Sequence, residues 1–245
     1  MSSLESLVAE IAGRDSVAAV LKFCEKNSQV RIFPTYVHAP TEYGDFKVIE
    51  RNVENLGRTL QQKHGIRLEK LLVLENPLLW RAINGRYISL LIKEFGFYSP
   101  CLGCHLYMHI LRAPLAITLQ SRKIISGERE SHDGELKLNQ TAKALDAYSE
   151  VLKSAGIELL LPIRRTVENS EIESAVGEDW KASEKQMQCV LSGNYREVTP
   201  SEESLEKYLR QFLIPAGKEL LSAVLAEEDN YLDIVHEVLS RQDRT

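Results

Sequence analysis

The sequence predicts an α/β protein built on a doubly wound parallel sheet and followed by a helical C-terminal appendage. Short apolar runs alternate with longer amphipathic segments between residues 7 and 163, as in strands joined by crossover helices. From residue 201 onward the pattern is helical only. We therefore expect an α/β domain at residues 1–195 and the appendage at residues 196–245.

The composition fits a folded chain with a large core, because 44% of the 245 residues are hydrophobic. No run of 18 apolar residues occurs, so we expect no membrane span. The N-terminal residues lack the features of a signal peptide, and the four cysteines are not grouped as in a disulfide framework. These features predict reduced thiols in a cytoplasm. The net charge of −5 disfavours sequence-independent binding along a nucleic acid.

The N-terminal part of the chain contains Gly13 between a possible strand and a predicted helix. Residues 7–12 suit either a short strand that enters a glycine turn or one face of a helix. A helix is expected at residues 17–24, with Asp15 or Ser16 as its cap and Cys24 as a plain core residue. Residues 30–38 are predicted to form the next strand, which ends at His38.

The sequence of the middle part of the chain, from residue 46 onward, predicts three helices and one strand. A long helix is expected from Phe46 to His64, ended by Gly65, and residues 71–74 read as a buried strand. A single helix is expected from about Leu78 to Phe95. The C-x-x-C segment at residues 101–104 is predicted to be a turn, with a helix beginning after it at about Leu106.

The last part of the α/β domain begins with a predicted strand at residues 123–127, which enters a polar loop at residues 128–134. Asn139 is expected to cap the following helix, and Gly156 to end it. The remaining expectations are a buried strand at 157–163, a short helix at 170–177 and a loop around Cys189.

Three cysteines form a pattern that is typical of a metal centre. Cys101 and Cys104 lie in one C-x-x-C segment, and Cys189 follows about 85 residues later. Three thiolates fall short of the four ligands of structural zinc and of an ordinary four-cysteine iron–sulfur cluster. They suit a [4Fe–4S] cluster with one iron open to a substrate or to a sulfur atom.

Two other interpretations of these cysteines stay open. The thiols could be reduced and buried without a metal. They could also form a zinc site that His105 or His109 completes, although a role behind the ligands suits these two histidines better.

The segment Ile11-Ala12-Gly13-Arg14-Asp15-Ser16 resembles the PP-loop, S-G-G-x-D-S, of the N-type ATP pyrophosphatases. Gly13, Asp15 and Ser16 match the motif, whereas Ile11 and Ala12 replace its leading serine and first glycine. The resemblance implies that a strand, a glycine turn and a helix N-terminus cradle the phosphates of ATP with backbone N–H groups. Arg14 occupies the free position of the motif and could add positive charge.

The order of the motifs is similar to that in the tRNA 2-thiolation enzymes of this family, over about residues 5–195. The resemblance implies an adenine nucleotide alpha hydrolase-like fold and a [4Fe–4S] cluster held by Cys101, Cys104 and Cys189. Two departures disfavour tRNA as the substrate, as the net charge also does. The flanking zinc-binding modules of some members are missing, and residues 126–133 stand where the family has an acidic G-H-x-x-D-D loop.

The polar loop that follows Gly127 supplies further candidates. Glu128, Glu130 and Asp133 could hold Mg²⁺ beside a triphosphate, Arg129 could steady a phosphate, and His132 could move a proton near neutral pH. The alternative is a solvated, charged loop. We assign Asp15, Glu128 and His132 to catalysis. The residues expected to bind the nucleotide are Ala12, Gly13, Arg14, Asp15, Ser16, His38, Gly127 and Arg129.

The predicted reaction is ATP-dependent sulfur transfer. ATP activates a carbonyl oxygen of a nucleobase or small molecule as its adenylate, pyrophosphate leaves, and sulfur from a donor replaces the oxygen. Two alternatives stay open: a cluster-dependent desulfidase of thiolated bases, and a non-catalytic nucleotide-binding iron–sulfur sensor. The C-terminal helices could also form a homodimer face.

Sulfur transfer requires that the nucleotide and the cluster meet in one cleft, because both must reach the same substrate atom. Parallel sheets collect their ligand loops at the carboxyl ends of the strands. We therefore expect a cleft whose walls come from residues 11–16, 38–41, 101–105, 126–133 and 188–194.

Overall fold

The computed structural model describes residues 4–177, 186–191 and 200–242. Seven strands lie in this part of the chain: β1 Glu5–Glu10, β2 Val30–Val37, β3 Glu42–Tyr43, β4 Leu72–Leu74, β5 Lys123–Ile125, β6 Glu158–Leu160 and β7 Gln188–Cys189. Five of them form a sheet in the order β4-β2-β1-β5-β6. All of its pairings are parallel. The order reverses between β1 and β5, as in doubly wound sheets. The predicted α/β class with a parallel sheet is confirmed.

Ten α-helices accompany these strands in the described ranges: α1 Arg14–Cys24, α2 Lys47–His64, α3 Pro77–Asn84, α4 Ile88–Phe95, α5 Pro100–Thr118, α6 Ala142–Ser154, α7 Asn169–Val176, α8 Glu202–Tyr208, α9 Ile214–Leu225 and α10 Tyr231–Gln242. A 3₁₀ turn at Leu138–Gln140 precedes α6, and a π-helical segment at Leu209–Leu213 joins α8 to α9. The predicted end of α2 is confirmed, because Gly65 adopts a left-handed conformation with φ of 68°.

The central strand β1 packs on both faces of the sheet. Leu7 and Ala9 belong to a core with α1 and α2, whereas Val8 belongs to the core on the opposite face. Because β1 pairs with β2 on one side and β5 on the other, its apolar residues are buried in every direction. This location explains why the ambiguous segment at residues 7–12 forms a strand as far as Glu10 and not a helix. Cys24 is fully buried in the first core, which confirms it as a core residue.

Helix α1 begins one turn earlier than predicted, and the expected cap was wrong. Gly13 occupies the N-cap position without a side-chain hydrogen bond, and Asp15 and Ser16 lie in the first turn. Likewise, Asn139 does not cap α6, because it lies in the preceding 3₁₀ turn. The Thr141 side chain accepts a hydrogen bond from the Ala144 backbone N–H instead.

The segment before the second half of the sheet also differs from the prediction. The expected helix at residues 78–95 is two helices, α3 and α4, which separate at Gly85. The C-x-x-C segment is not a turn but the start of α5, with Pro100 in its first turn. Proline suits this position because the first helical N–H has no partner within the helix.

Two strands predicted to be buried are edge strands. β4 pairs only with β2, and Leu72 and Val73 are 37% and 49% exposed. β6 covers only Glu158–Leu160 of the expected 157–163 and pairs with β5 alone. A purely apolar run indicates a parallel strand but not its position in the sheet.

The C-terminal helices pack into the same core as α3, α5 and α6. Phe212, Leu220 and Val235 are buried in it together with Tyr107 and Tyr148. The expected boundary at residues 195 and 196 lies outside the described residues. No helix in the described ranges is long and apolar enough to cross a membrane.

Candidate functional site

A cavity of about 470 Å³ lies beyond the carboxyl ends of β1 and β5, and we call it the loop cavity. Its volume falls within the range of about 300–1,000 Å³ that is typical of small-molecule sites. Its walls are Glu10, Ala12, Gly13, Arg14, Asp15, Ser16, His105, Met108, Gly127, Glu128, His132, Lys137, Gln140 and Gln186. Six of the nucleotide-binding candidates are therefore brought together here.

The turn between β1 and α1 is closed by its own hydrogen bonds. The Ser16 hydroxyl donates to the Gly13 carbonyl oxygen at 2.8 Å and accepts from the Ala12 N–H at 2.9 Å. Ser16 thus shapes the turn. Gly127 crosses directly over this turn, since a Cβ at Gly127 would lie 2.3 Å from the Ser16 backbone nitrogen. Only glycine allows the loop after β5 to approach the start of α1 so closely.

Asp15 is held between two arginines. Its Oδ2 accepts from Arg129 Nε at 2.9 Å, and its Oδ1 accepts from Arg14 Nε at 3.1 Å. Burial raises the pKa of the Asp15 carboxyl, but the two guanidinium groups outweigh burial and hold this pKa below its ordinary value. Arg129 is fully buried and also donates to Asn169. Asp15 is therefore ionised, and its ion pair with Arg129 holds the turn between β1 and α1 in place. Arg129 thus has a structural role and does not point toward a ligand.

His132 and Lys137 meet beside Asp15. The His132 ring contacts Gln140 Oε1 through Nε2 at 2.6 Å and lies 3.6 Å from Asp15 Oδ2 through Nδ1. Burial, together with the nearby charge of Lys137, lowers the pKa of His132 to about 4. Burial likewise lowers the pKa of Lys137. No carboxylate of the described residues lies within ion-pairing distance of the Lys137 ammonium, so the wall of the loop cavity carries a positive group that can meet an anion.

Glu128 lies buried between two histidines of α5. Its Oε1 is 2.5 Å from His105 Nδ1 and 3.2 Å from His109 Nε2. Burial raises the pKa of Glu128, but the two imidazoles outweigh it and bring the pKa to about 2. The other oxygen, Oε2, is buried without a hydrogen-bond partner in the described part of the chain. Asn139 Nδ2 lies 2.8 Å from His105 Nε2, which leaves His105 Nδ1 as the donor to Glu128.

A second cavity, of about 210 Å³, contains all three candidate metal ligands, and we call it the cysteine cavity. Its walls are Ala39, Thr41, Glu42, Trp80, Pro100, Cys101, Cys104, His105, Met108, Lys137, Asn139, Gln140, Cys189 and Leu191. Cys101 and Cys104 come from the first turns of α5. Cys189 is returned to them by β7, which pairs antiparallel with β3. The three thiols are free, not disulfide-bonded.

The Cys101 and Cys104 thiols are protonated at neutral pH in this arrangement. Burial, and to a lesser extent the charge of Cys189, raises the pKa of Cys101 to about 11. Burial raises the pKa of Cys104 to about 12, and Glu42 and the other two cysteines add to this effect. The Trp80 indole opposes it, although its Nε1 has no hydrogen-bond partner in the described residues. A cation in the cavity would draw the protons off, since metals bind the thiolate form.

The cysteine cavity brings soft donor groups together, but the described residues do not form a metal-ion site. Within residues 4–177, 186–191 and 200–242, no three His, Cys, Asp or Glu side chains are arranged to hold a single metal ion. Thiolates are the protein ligands of iron–sulfur clusters, so the chemistry of these three side chains is compatible with the cluster expected from the sequence.

The two cavities adjoin. His105, Met108, Lys137 and Gln140 line both of them. Residues from all five expected walls therefore line one or the other of two adjoining cavities, whereas a single cleft was expected. Residues 192–194 of the expected wall lie outside the described residues.

Several candidates lie elsewhere. Glu130 forms ion pairs with Arg164 at 2.7 Å and Arg165 at 2.5 Å. Asp133 accepts a hydrogen bond from the Asn169 backbone N–H at 2.7 Å. His38 follows β2 as expected, but its Nδ1 lies 3.4 Å from a Glu75 carboxylate oxygen. The structure thus brings Glu128 to the loop cavity but directs these three side chains to other partners.

Sequence reasoning missed Glu42, Lys137 and Gln140 as site residues. Lys137 and Gln140 follow the polar loop after β5 without a recognisable motif, and only the folded chain shows that they separate the two cavities. Glu42 lies in a two-residue strand, which is too short for any periodicity.

Comparison with known proteins identifies a relative without an assigned function. No protein-family model matches the chain. The chain is 38% identical over 243 residues to the uncharacterized protein MJ0009 of Methanocaldococcus jannaschii, and the alignment covers 96% of this chain and 86% of the relative. An identity of this size over nearly the whole length places both proteins in one family. The chain belongs to the family of the uncharacterized protein MJ0009.

Proposed function

We propose that this protein is an ATP-dependent sulfurtransferase of the PP-loop type, with a [4Fe–4S] cluster held by Cys101, Cys104 and Cys189. The observation that carries the proposal is the common wall of the loop cavity and the cysteine cavity. A substrate bound at this wall could face ATP on one side and the cluster on the other. The acceptor is a carbonyl group of a nucleobase or small molecule.

The position of the Gly13 turn supports ATP as the ligand of the loop cavity. It follows β1 next to the point where the strand order reverses, which is where open α/β sheets bind ligands. The N-terminus of α1, an 11-residue helix, begins at this cavity. Helix N-termini attract phosphate through free N–H groups and the helix dipole. The adenine nucleotide alpha hydrolase-like fold is part of the proposal.

In the loop cavity, positive side chains would bind the phosphates of ATP and negative side chains would bind Mg²⁺. Lys137 has no carboxylate partner in the described residues and would bind phosphate oxygens. Arg14 also lines the cavity, but its guanidinium is already paired with Asp15 and Glu173. Mg²⁺ would be held by Glu10 and Glu128, which line the cavity, because oxygen ligands suit this ion. Asp15 keeps the turn in shape through Arg129.

His105 is the group best placed to move a proton, because it lines both cavities. Glu128 orients the ring through Nδ1, and Asn139 contacts Nε2. His132, with a pKa lowered to about 4, is neutral near pH 7 and serves as a hydrogen-bonding group.

The three thiols would bind the cluster as thiolates, stabilised by the positive end of α5. When bound, the cluster would present sulfur at the iron that no cysteine binds. Trp80 and Met108 provide an apolar wall that limits water. A cytoplasmic location, where thiols stay reduced, is part of the proposal.

The test uses anaerobically purified protein with ATP, Mg²⁺, hydrosulfide and a set of nucleosides or total tRNA. We expect acceptor-dependent release of pyrophosphate, and we expect Lys137→Ala to reduce it while the exposed control Lys70→Ala does not. Absence of ATP binding by calorimetry would remove the proposal.

The two alternatives give different results in the same experiment. A desulfidase would release sulfide from a thiolated base without ATP. A sensor would bind ATP without releasing pyrophosphate.

A further inference from the structure

The cysteine cavity contains a fourth acidic group, the Glu42 carboxyl, which the three-cysteine pattern does not include. Glu42 lines the cavity together with Cys101, Cys104 and Cys189. In the β3–β7 pair it lies directly opposite Cys189. Side chains of directly opposed residues project from the same face of a sheet, with their Cβ atoms about 4.5–5.5 Å apart. The antiparallel pair therefore delivers a thiol and a carboxyl to the cavity as one unit.

The Glu42 side chain is held in place by its surroundings. Its Oε2 accepts a hydrogen bond from the Ala39 backbone N–H at 2.8 Å, and its own N–H donates to the Ala39 carbonyl oxygen at 3.0 Å. The strand β3 is further fixed by a hydrogen bond from the Val190 N–H to the Thr41 carbonyl oxygen. The carboxyl is thus presented to the thiols by a closed turn, not by a free surface side chain.

The cysteine cavity collects four side chains that can bind a cation in their ionised forms, and the Lys137 ammonium also lies in its wall. Four acidic groups in one small cavity repel one another once they ionise. A positively charged metal centre reverses this balance, because it attracts all four.

We propose that Glu42 is the fourth protein ligand of the cluster and binds the iron that has no cysteine. This inference rests on the proposed function. Carboxylate is a harder and weaker ligand than thiolate for such iron, so it closes the site at rest and yields to sulfur. In the exchange, hydrosulfide binds the iron and Glu42 leaves as a carboxylate, and no electron is transferred.

The test measures how firmly the fourth iron is retained. Ferricyanide takes one electron from the four-iron cluster, which then loses one Fe²⁺ and leaves a three-iron cluster with a distinct paramagnetic resonance signal. The rate of this conversion is compared in wild type, Glu42→Gln, Glu42→Cys and the control Glu75→Gln, whose carboxyl is 63% exposed. Gln keeps an acceptor for the Ala39 N–H but binds iron poorly, whereas Cys supplies a stronger ligand.

We expect Glu42→Gln to load four irons and to lose the fourth iron at least about 10-fold faster than wild type. Changes in the surroundings of a bound metal typically weaken its binding by about 10-fold or more. Glu42→Cys should lose it more slowly than wild type, and Glu75→Gln should match wild type. Equal rates in all four proteins would overturn the role of Glu42 and leave the sulfurtransferase proposal standing. Failure of the wild type to load iron would overturn both.

Discussion

The Gly127→Ala substitution tests how closely the loop after β5 approaches the start of α1 at the loop cavity. A Cβ at this position would lie 2.3 Å from the Ser16 backbone nitrogen and 2.4 Å from the Ser16 Cα. These are backbone atoms, so the methyl group must displace the start of α1. Overpacking of this kind costs about 1–3 kcal/mol of stability. A chain of this size loses about 2–4 °C in Tm for each kcal/mol, so we expect a decrease of about 2–12 °C.

The same displacement should weaken ATP binding. If ATP binds only to the original conformation of the turn, part of the binding free energy must return the turn to that conformation. This penalty equals the stability loss of about 1–3 kcal/mol and corresponds to about a 5- to 150-fold loss of affinity. Thermal unfolding gives the first quantity and calorimetry with ATP gives the second. The control is Gly57→Ala in α2, where the new Cβ would meet Leu68 only at an ordinary 3.7 Å. Alanine in a helix is favoured over glycine by roughly 0.5–1 kcal/mol, so this variant should be slightly more stable. A Gly127→Ala protein with wild-type Tm and wild-type ATP affinity would refute the close approach of the two loops.

Two further predictions concern the side chains behind the turn. Asp15→Ala should destabilise the protein by about 3–5 kcal/mol in urea denaturation, because it leaves the buried Arg129 without its carboxylate; a loss below about 1 kcal/mol would contradict this role. The pKa of His132 is about 4 in the folded protein and 6.5 in its ordinary, unfolded state. As the pH decreases, the unfolded chain therefore binds a proton before the folded protein does. The free energy of unfolding then falls between about pH 6.5 and about pH 4. His132→Gln should therefore lose less stability than wild type between pH 7.5 and pH 5, and an equal loss in both proteins would contradict the shifted pKa.

The sequence predicted the arrangement around Gly13 because its signals are local. An apolar run, a glycine and a helix start follow one another within about 18 residues, and parallel topology then brings the loop after β5 beside them. The core role of Cys24 followed from helical periodicity alone. The meeting of Cys189 with Cys101 and Cys104 was expected from the cysteine pattern and from the resemblance, because no local signal connects positions so far apart.

The errors have physical causes. Pro100 in the first turn of α5 was a usable start signal, but the C-x-x-C pattern suggested a turn. Edge strands such as β4 cannot be distinguished from central ones by apolar content, because strand neighbours are a property of the whole sheet. The pairing of Glu42 with Cys189 joins positions 147 residues apart through two short strands, so no local pattern records it. Lys137 becomes a site residue only when α5 and the loop after β5 pack together.

The metal content of protein purified without oxygen tests the central claim most directly. Iron, acid-labile sulfide and zinc are measured in wild type, in single alanine variants of Cys101, Cys104 and Cys189, and in Cys24→Ala, whose thiol lies in the core. We predict a brown wild type with about four irons per chain, loss of colour in each of the first three variants, and wild-type iron content in Cys24→Ala. Colourless wild-type protein with one zinc per chain, or with no metal, would contradict the account.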